Sequence, residues 1–504
     1  MLIRISARSS FLARYQALQV GDALRASDAS IEIEYFFRES LGDKNLTDPL
    51  WKMPEKGVFT EDFLEDLLHG KTDLVVHSWK DLPTERKPGT DIVATLPRAD
   101  QRDLLLVKKT ALGKIQQSKQ VSIFSSSLRR QKNLTDFLST ALPSGPHQIQ
   151  FRDVRGNIPT RISKLLNTPD ADGLVLAKAA LDRLLSAPWP DFQELKRELQ
   201  HSLSLCEWMV LPLSKNPNAA AQGALAIEIK SGRTDLEKVL SKINHPETFQ
   251  AVQTERQILA GYGGGCHQKI GIAVLPRPFG EIHFLQGLTD QGQILDSSVL
   301  LNSPALQDQT KAPAKKWSSS QLRPMVSRAE NPYSIAKNVN AVYVSRISAW
   351  RPHGGYIWAA GLETWKQLAA TGVWVHGSSE GLGESEEPAI DVLAQVPLNW
   401  ARLTHADAEK AATEDHKKIQ NVATYKMNLD SQAIQSLSEQ ILGAQSFFWT
   451  SAYHFDRVTE QFPEILSRTH ASGPGKTWLA LKERLKQKGL SAPQVYLSEA
   501  EWRK

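Results

Sequence analysis

From residue 61 to residue 177, short apolar runs alternate with stretches of helical period, and this alternation confines the chain to layered α/β architecture. The runs are DLVVHS, DIVATL, DLLLVKK, KQVSIF, HQIQFRDV and DGLVLA, and the helical stretches include EDFLEDLLHG and RISKLLN. From Ala219 to Leu300 the pattern changes. AAQGALAIEIK precedes a helix near PETFQAVQTERQIL, and KIGIAVL, EIHFLQGL and SSVLLN follow it, which suggests a smaller α+β unit. Residues 302–339 are rich in Ser, Pro, Lys and Gln with little periodicity and read as a linker. Beyond it the arginine clusters thin and most of the tryptophans fall, so residues 340–504 read as a separate domain.

A chain of 504 residues exceeds one compact core, and several are expected. Hydrophobic content of 41% and charged content of 23% are ordinary for a folded globular protein. The start, MLIRISARSS, alternates apolar residues with arginines as a strand does and lacks the apolar core of a signal peptide. No run reaches the roughly 18 apolar residues of a spanning helix, so the expected location is the cytoplasm, with no membrane partner. Two cysteines, Cys206 and Cys266, are too few for a disulfide framework or a zinc ribbon, and no metal is expected. A formal charge of +5 is mild, so a nucleic-acid partner would need a concentrated basic face with stacking aromatics, which the arginine-rich segment lacks.

The arginines collect where predicted strands end: Arg129 and Arg130 in SSSLRRQ, Arg155 and Arg161 in RDVRGNIPTR, Arg183 in LAKAALDR. In a doubly wound sheet such positions open on the ligand crevice, and the following helix N-termini favour anions. Any one of them alone reads as a solvated surface charge. Together they suit a polyanion, because guanidinium pairs two-pronged with carboxylate or phosphate. Ser125, Ser126 and Ser127 add hydroxyl and N–H donors at the same turn.

In LVVHSWKDLP an apolar strand runs into Ser78, Lys80 and Asp81 before Pro83 stops it. A carboxylate at that exit suits stabilising a cation and shuttling a proton, with Lys80 keeping it ionised or gripping an anion; the plainer reading is a turn cap. His77 reads as a core or hydrogen-bonded histidine. In GYGGGCHQKIG three glycines display Cys266, and an accessible thiolate is a strong nucleophile. An inert turn cysteine is the alternative there. Cys206, in SLCEWMVL, reads as buried and structural.

Over residues 1–300 these constellations, in this order, resemble the hydroxymethylbilane synthase (porphobilinogen deaminase) family. The matching stretches are ISARSSFLARYQ, KGVF, VVHSWKDLP, SSSLRRQ, VRGNIPTR, LAKAALDRL, AAQGALAIE, NHPET and GGGCHQKIG. The resemblance implies two lobes like periplasmic-binding proteins, residues 1–98 with 195–216 returning to them and residues 99–194, plus a cofactor-attachment domain at 217–301. It implies a monomer whose Cys266 holds a dipyrromethane cofactor through a thioether. Porphobilinogen loses ammonia, four are joined in turn, and water releases a linear tetrapyrrole. Asp81 would stabilise the transient cation and handle protons. Lys80, Ser125, Ser126, Ser127, Arg129, Arg130 and Arg155 would hold the cofactor. Arg8, Ser10, Arg161 and Arg183 would hold substrate carboxylates, with Lys52 and Lys56 in a loop over the site. Each added pyrrole brings two carboxylates, which an arginine-lined cleft answers. The chain departs from the family pattern at Pro159, at Ala180 and in NAAAQGA around Gln222, and none of these removes a charged group.

In the last domain AAGLETWKQLAATGVWVHGSSEGLGE, FFWTSAYHFDRV and ASGPGKTWLALKERLKQKGL look like the second portion of a uroporphyrinogen-III synthase. Thr450, Ser451, Gly473, Pro474 and Thr477 stand at matching positions, in loops entering helices. About 165 residues suggest that the family's first lobe is shortened or missing. That domain either closes the tetrapyrrole ring or is noncatalytic. GPGKT imitates a phosphate loop, but His470 stands where the pattern needs glycine. A binding module that clamps an organic anion without reacting would need the arginines but have no use for Asp81 with Cys266.

Overall fold

Strand runs such as Leu74–His77 and Leu104–Val107 are buried along their whole length, as strands covered on both faces by helices require. The computed structural model describes residues 1–39, 61–85, 88–263, 268–302, 315–383, 388–407 and 419–504. Two units divide it. The first comprises Met1–Ser139, Pro146–Pro276 and His283–Ser297, and the second Thr140–Gly145, Arg277–Ile282 and Ser298–Lys504.

In the first unit the strands are β1 (Leu2–Arg8), β2 (Glu32–Arg38), β3 (Leu74–Ser78), β4 (Thr90–Ala94), β5 (Asp103–Lys108), β6 (Gln120–Phe124), β7 (Gln148–Arg152), β8 (Gly173–Ala177), β9 (Cys206–Val210) and β10 (Leu225–Lys230). They form two sheets of one pattern, β2-β1-β3-β10-β4 and β7-β6-β8-β5-β9. In each, four strands run parallel to one another and the fourth in order, contributed across the chain crossing, is antiparallel to its neighbours. Helix α1 (Phe11–Ser27) covers the first sheet, burying Ala17, Val20 and Leu24 on Ile3, Ile5, Leu74 and Ile227. Helices α2 (Leu128–Ala141), α3 (Ile158–Asn167), α4 (Lys178–Ser186) and α5 (Gln193–Ser204) follow strands of the second.

The returning segment differs from the expectation of 195–216. Residues 206–210 form β9, paired with β5 in the second sheet, and β10 is what returns to the first, between β3 and β4. The apolar run LAIEI is buried on both faces, so only a central position satisfies it. Helix α6 (Pro246–Gly261) then leads in sequence toward the three-stranded sheet of β11 (Lys269–Arg277), β12 (Gly280–Leu288) and β13 (Ile294–Leu301).

In the second unit β14 (Lys316–Ser318) and β15 (Val326–Glu330) occupy positions expected as linker, a correction to the reading of 302–339. Trp317 and Leu322 are buried there, and apolar anchors this sparse leave no periodic pattern to read. Next come β16 (Ala341–Val344), β17 (Tyr356–Ala359), β18 (Gly377–Ser378), β19 (Trp400–His405), β20 (Ile419–Leu429), β21 (Ser446–Trp449), β22 (Thr469–Ser472) and β23 (Gln494–Val495). They build a six-stranded sheet, β15-β20-β19-β16-β17-β18, and a four-stranded one, β14-β21-β22-β23. The chain starts in the smaller sheet, crosses to the larger and returns. Two sheets are therefore present where one lobe was expected to be shortened or missing. The short chain suffices because β18 and β23 have two residues each and β14 is drawn from the supposed linker.

Candidate active site

Strand β3 ends at Ser78, and a single 3₁₀ turn, Trp79–Asp81, follows because Pro83 cannot continue the ladder. Alternation then sorts the side chains. Trp79 is buried and tilts against Phe249 at 5.1 Å, whereas Asp81 is exposed. Lys80 donates to Gln222 Oε1 at 3.2 Å, and burial pushes its ammonium down to about 8, with Asp81 opposing the shift and Arg130 adding to it. His77, on the inward side of β3, pairs with Glu228 Oε2 at 3.0 Å and is a hydrogen-bonded core histidine, as expected.

At the end of β6 the serine turn is tied down. Ser126 Oγ donates to Val154 O at 2.9 Å and accepts from Val154 N at 2.8 Å, so this hydroxyl is committed to the backbone after β7. Ser125 is buried, and Ser127 Oγ receives the N–H of Arg130 in the first turn of α2 at 3.4 Å. Arg129 and Arg130, only 4% and 8% exposed, both converge on Asp103. Arg129 Nη2 reaches Oδ2 at 2.8 Å, and Arg130 holds both oxygens at 2.6 and 3.0 Å. Asn216 and Gln222 donate to the same carboxylate at 2.8 and 2.9 Å. Burial alone would raise its pKa, yet Arg130 and Arg129 hold it far below the usual carboxylate range. Arg129 also donates to Asn216 Oδ1 and Pro217 O. Much of this arginine pair is thus spent inside the protein, a role that strand-end position could not reveal.

Asn157 caps α3, accepting from Thr160 N at 2.9 Å, and Pro159 sits in the first turn, where a missing N–H costs nothing. The departure from the family pattern is therefore accommodated. Arg161 Nε donates to Gly156 O at 2.7 Å, and burial lowers its guanidinium to about 10, with Arg130 and Arg155 adding to the shift and Asp81 opposing it. Arg155 Nη2 is buried and has no partner among the described residues. These couplings bring Lys80, Asp81, Arg130, Arg155 and Arg161 into one electrostatic neighbourhood.

Other candidates lie elsewhere. Arg183, lowered to about 10 by burial, gives Nη2 to Gly223 O at 2.8 Å and leaves Nε buried without a partner among the described residues. Ser10 caps α1 by accepting from Ala13 N at 3.4 Å, and Arg8 is half-buried at the end of β1. Cys266, Lys52 and Lys56 fall outside the described residues. Cys206 is buried, and burial pushes its thiol up to about 11, as suits an inert cysteine. Among the described residues no group of three or more His, Cys, Asp or Glu is placed to hold a metal.

Sequence reasoning missed Asp103, Asn216 and Arg256. Asp103 hides in the apolar run DLLLVK as an ordinary strand start, although a carboxylate heading a fully buried strand is itself a signal that cations meet it. Gly223 is required where it stands, at φ +87, since a Cβ there would come within 2.4 Å of Ala99 O.

In the second unit Thr450 N–H meets Ser319 Oγ at 2.9 Å, and Ser451 caps the helix Ala452–Gln461, accepting from Tyr453 N at 3.2 Å. Gly473 and Pro474 precede, and Thr477 opens, the helix Lys476–Gln487. His405 and His454 are each pushed down to about 4 by burial, with Arg346 lowering both, Lys476 acting on His405, and Arg323 and Arg328 on His454.

A porphobilinogen deaminase from Syntrophomonas wolfei is 37% identical over 265 residues, which cover 52% of this chain and 78% of that protein. The chain belongs to the porphobilinogen deaminase family. The family model described as "Porphobilinogen deaminase, dipyromethane cofactor binding domain" matches residues 3–238. Porphobilinogen deaminases from Desulfitobacterium hafniense and Lawsonia intracellularis are 35% and 33% identical, covering 53% and 60% of this chain and 79% and 87% of their own lengths. Among solved structures, the effector-binding domain of BenM with benzoate spans 52% of this chain and 93% of its own at 13% identity and a TM-score of 0.25, too slight a likeness to carry an argument. Membership makes the chain an enzyme of the porphobilinogen deaminase type, a transferase of tetrapyrrole synthesis whose family cofactor is dipyrromethane and whose substrate is porphobilinogen. The residues present fit that cofactor: Arg155 Nη2, without a partner among the described residues, is a buried donor that a carboxylate would satisfy.

Proposed function

We propose that this enzyme is a hydroxymethylbilane synthase, joining four porphobilinogen molecules in turn with loss of four ammonia molecules, and that Asp81 is its catalytic group. The observation that carries the reading is that Lys80 and Arg161 both act on the exposed carboxylate of Asp81, with Arg130 beside both cations and Arg155 beside Arg161. When bound, through a thioether to Cys266, the dipyrromethane supplies the free pyrrole carbon from which the chain grows. Lys80, Arg155 and Arg161 bind the acetate and propionate groups, and Ser125, Ser127 and the remaining donors of Arg129 and Arg130 line the same turn. Arg8, Ser10 and Arg183, with Lys52 and Lys56, complete the substrate side. Asp81 faces the cation left on porphobilinogen as ammonia departs, and it accepts the proton released when the new carbon–carbon bond forms. The two five-stranded sheets serve as periplasmic-binding-type lobes with the site at their strand ends, and the third sheet serves as the cofactor-attachment domain. The enzyme acts as a cytoplasmic monomer, with no nucleic-acid or membrane partner.

Intact-mass spectrometry of purified protein tests the cofactor: a dipyrromethane increment is expected and should vanish in Cys266→Ser. Asp81→Ala should consume porphobilinogen at about a hundredth of the wild-type rate or less. Unchanged turnover in that variant refutes the reading.

For the second unit we propose cyclisation of the linear product to uroporphyrinogen III, supported by the cations Arg323, Arg328, Arg346 and Lys476 gathered about His405 and His454, a setting suited to a polycarboxylate. Isomer analysis after incubation of the full chain with porphobilinogen tests it. The type III isomer should dominate and fall to the spontaneous type I product in Arg346→Ala; type I alone from the wild type identifies the unit as noncatalytic.

A further inference from the structure

We propose that Arg256, on helix α6, is the positioning residue of the turn that presents Asp81. This rests on the catalytic role proposed for Asp81 and concerns how its carboxylate is held. Arg256 Nη1 donates to Trp79 O at 3.3 Å and to Leu82 O at 3.1 Å, and Nη2 donates to Pro83 O. One guanidinium thereby collects carbonyls from both sides of Lys80 and Asp81, using the planar fork that lysine lacks.

The turn has reason to need such a clamp. It is a single 3₁₀ turn, with one internal bond from Leu82 N to Trp79 O at 3.2 Å. It also borders a cavity of about 250 Å³, lined by Trp79, Leu82, Pro83, Ile92 and Arg256, so part of its surface has no protein packed against it. Helix α6 is a firm base. The neighbouring Glu255, wholly buried, takes both prongs of Arg98 at 2.8 Å and accepts from Ala221 N at 2.8 Å and Val274 N at 3.0 Å. The helix therefore grips the crossing segment with one residue and the catalytic turn with the next. Displacement of a reacting group by about 1 Å costs on the order of a hundredfold in rate, so loss of the clamp should act on the chemical step.

Steady-state kinetics on the cofactor-loaded full chain test this. Arg256→Ala should lower kcat by about tenfold to a hundredfold with KM within about twofold, and added guanidinium ion should restore part of the loss. Arg256→Lys, which keeps the charge, should lose nearly as much, and it serves if the alanine variant does not fold. Asp81→Glu, which keeps a carboxylate, provides the background for a double-mutant cycle. There Arg256→Lys should cost less than about threefold more, because it acts through the group already displaced. Wild-type kcat in Arg256→Lys, or full additivity in the cycle, overturns the proposal. Should Asp81→Ala itself retain wild-type turnover, the catalytic reading of Asp81 fails, a result separable from either outcome at Arg256.

Discussion

Arg130 grips Asp103 with two charge-assisted bonds, Nε to Oδ2 at 3.0 Å and Nη2 to Oδ1 at 2.6 Å. Arg129 shares the same carboxylate, so two buried guanidiniums depend on one anion. Asp103→Ala would strand both and should destabilise the first unit by roughly 3–5 kcal/mol. Urea unfolding against wild type measures it, and a loss below about 1 kcal/mol would show that water replaces the carboxylate.

Lys80 titrates at about 8 because burial disfavours its ammonium. The charge is present below that pH and lost above it, so affinity for a carboxylate-bearing substrate should weaken as pH rises through 8. KM for porphobilinogen, followed from pH 7 to 9.5, should show the rise, and Lys80→Arg should flatten it, since a guanidinium stays charged throughout.

Arg155 and Arg161 stand apart from the Asp103 knot. Arg155 Nη2 is buried without a partner among the described residues, and burial lowers the guanidinium of Arg161 against the opposing pull of Asp81. Arg155→Ala and Arg161→Ala should each lower kcat/KM by about 10–100-fold, the worth of a hydrogen bond to a charged group, with little change in melting temperature. Equal losses in stability and activity would instead assign them to the scaffold.

In the second unit His376, His405, His454 and His470 are pushed by burial to between about 3 and about 4. Their folded pKa values lie below the ordinary 6.5 of the unfolded chain, so the stability they support is present above pH 6.5 and is lost as pH falls toward 4. Each should cost about 2 kcal/mol by pH 5. Thermal unfolding at pH 7.5 and 5, followed by tryptophan fluorescence, checks this. A melting temperature unchanged between the two would contradict the burial of these rings.

The ends of β3 and β6 were legible in VVHSWKDLP and SSSLRRQ because an apolar run that stops in polar residues marks where a strand ends, and Asp81 is exposed after β3 whereas Ser125, Arg129 and Arg130 are buried after β6. The α/β alternation was legible for a similar reason: burial on both faces writes continuous apolar runs into the chain. Harder to read were Lys316–Glu330, where strands of three and five residues bury too few side chains to print a period, and β10, whose return to the first sheet follows from long-range pairing.

The sequence by itself determined which groups are available and where strands stop: an acid after β3, guanidiniums after β6, β7 and β8, and a thiol among glycines. Only the tertiary structure decided which of those charges remain for a ligand. Asp103 absorbs much of Arg129 and Arg130, while Arg155 and Arg183 keep buried donors without partners among the described residues. The physical reason is that a buried cation must find an anion, and whether that anion is Asp103, which heads a neighbouring strand, or a carboxylate from outside depends on how the chain crosses between its sheets.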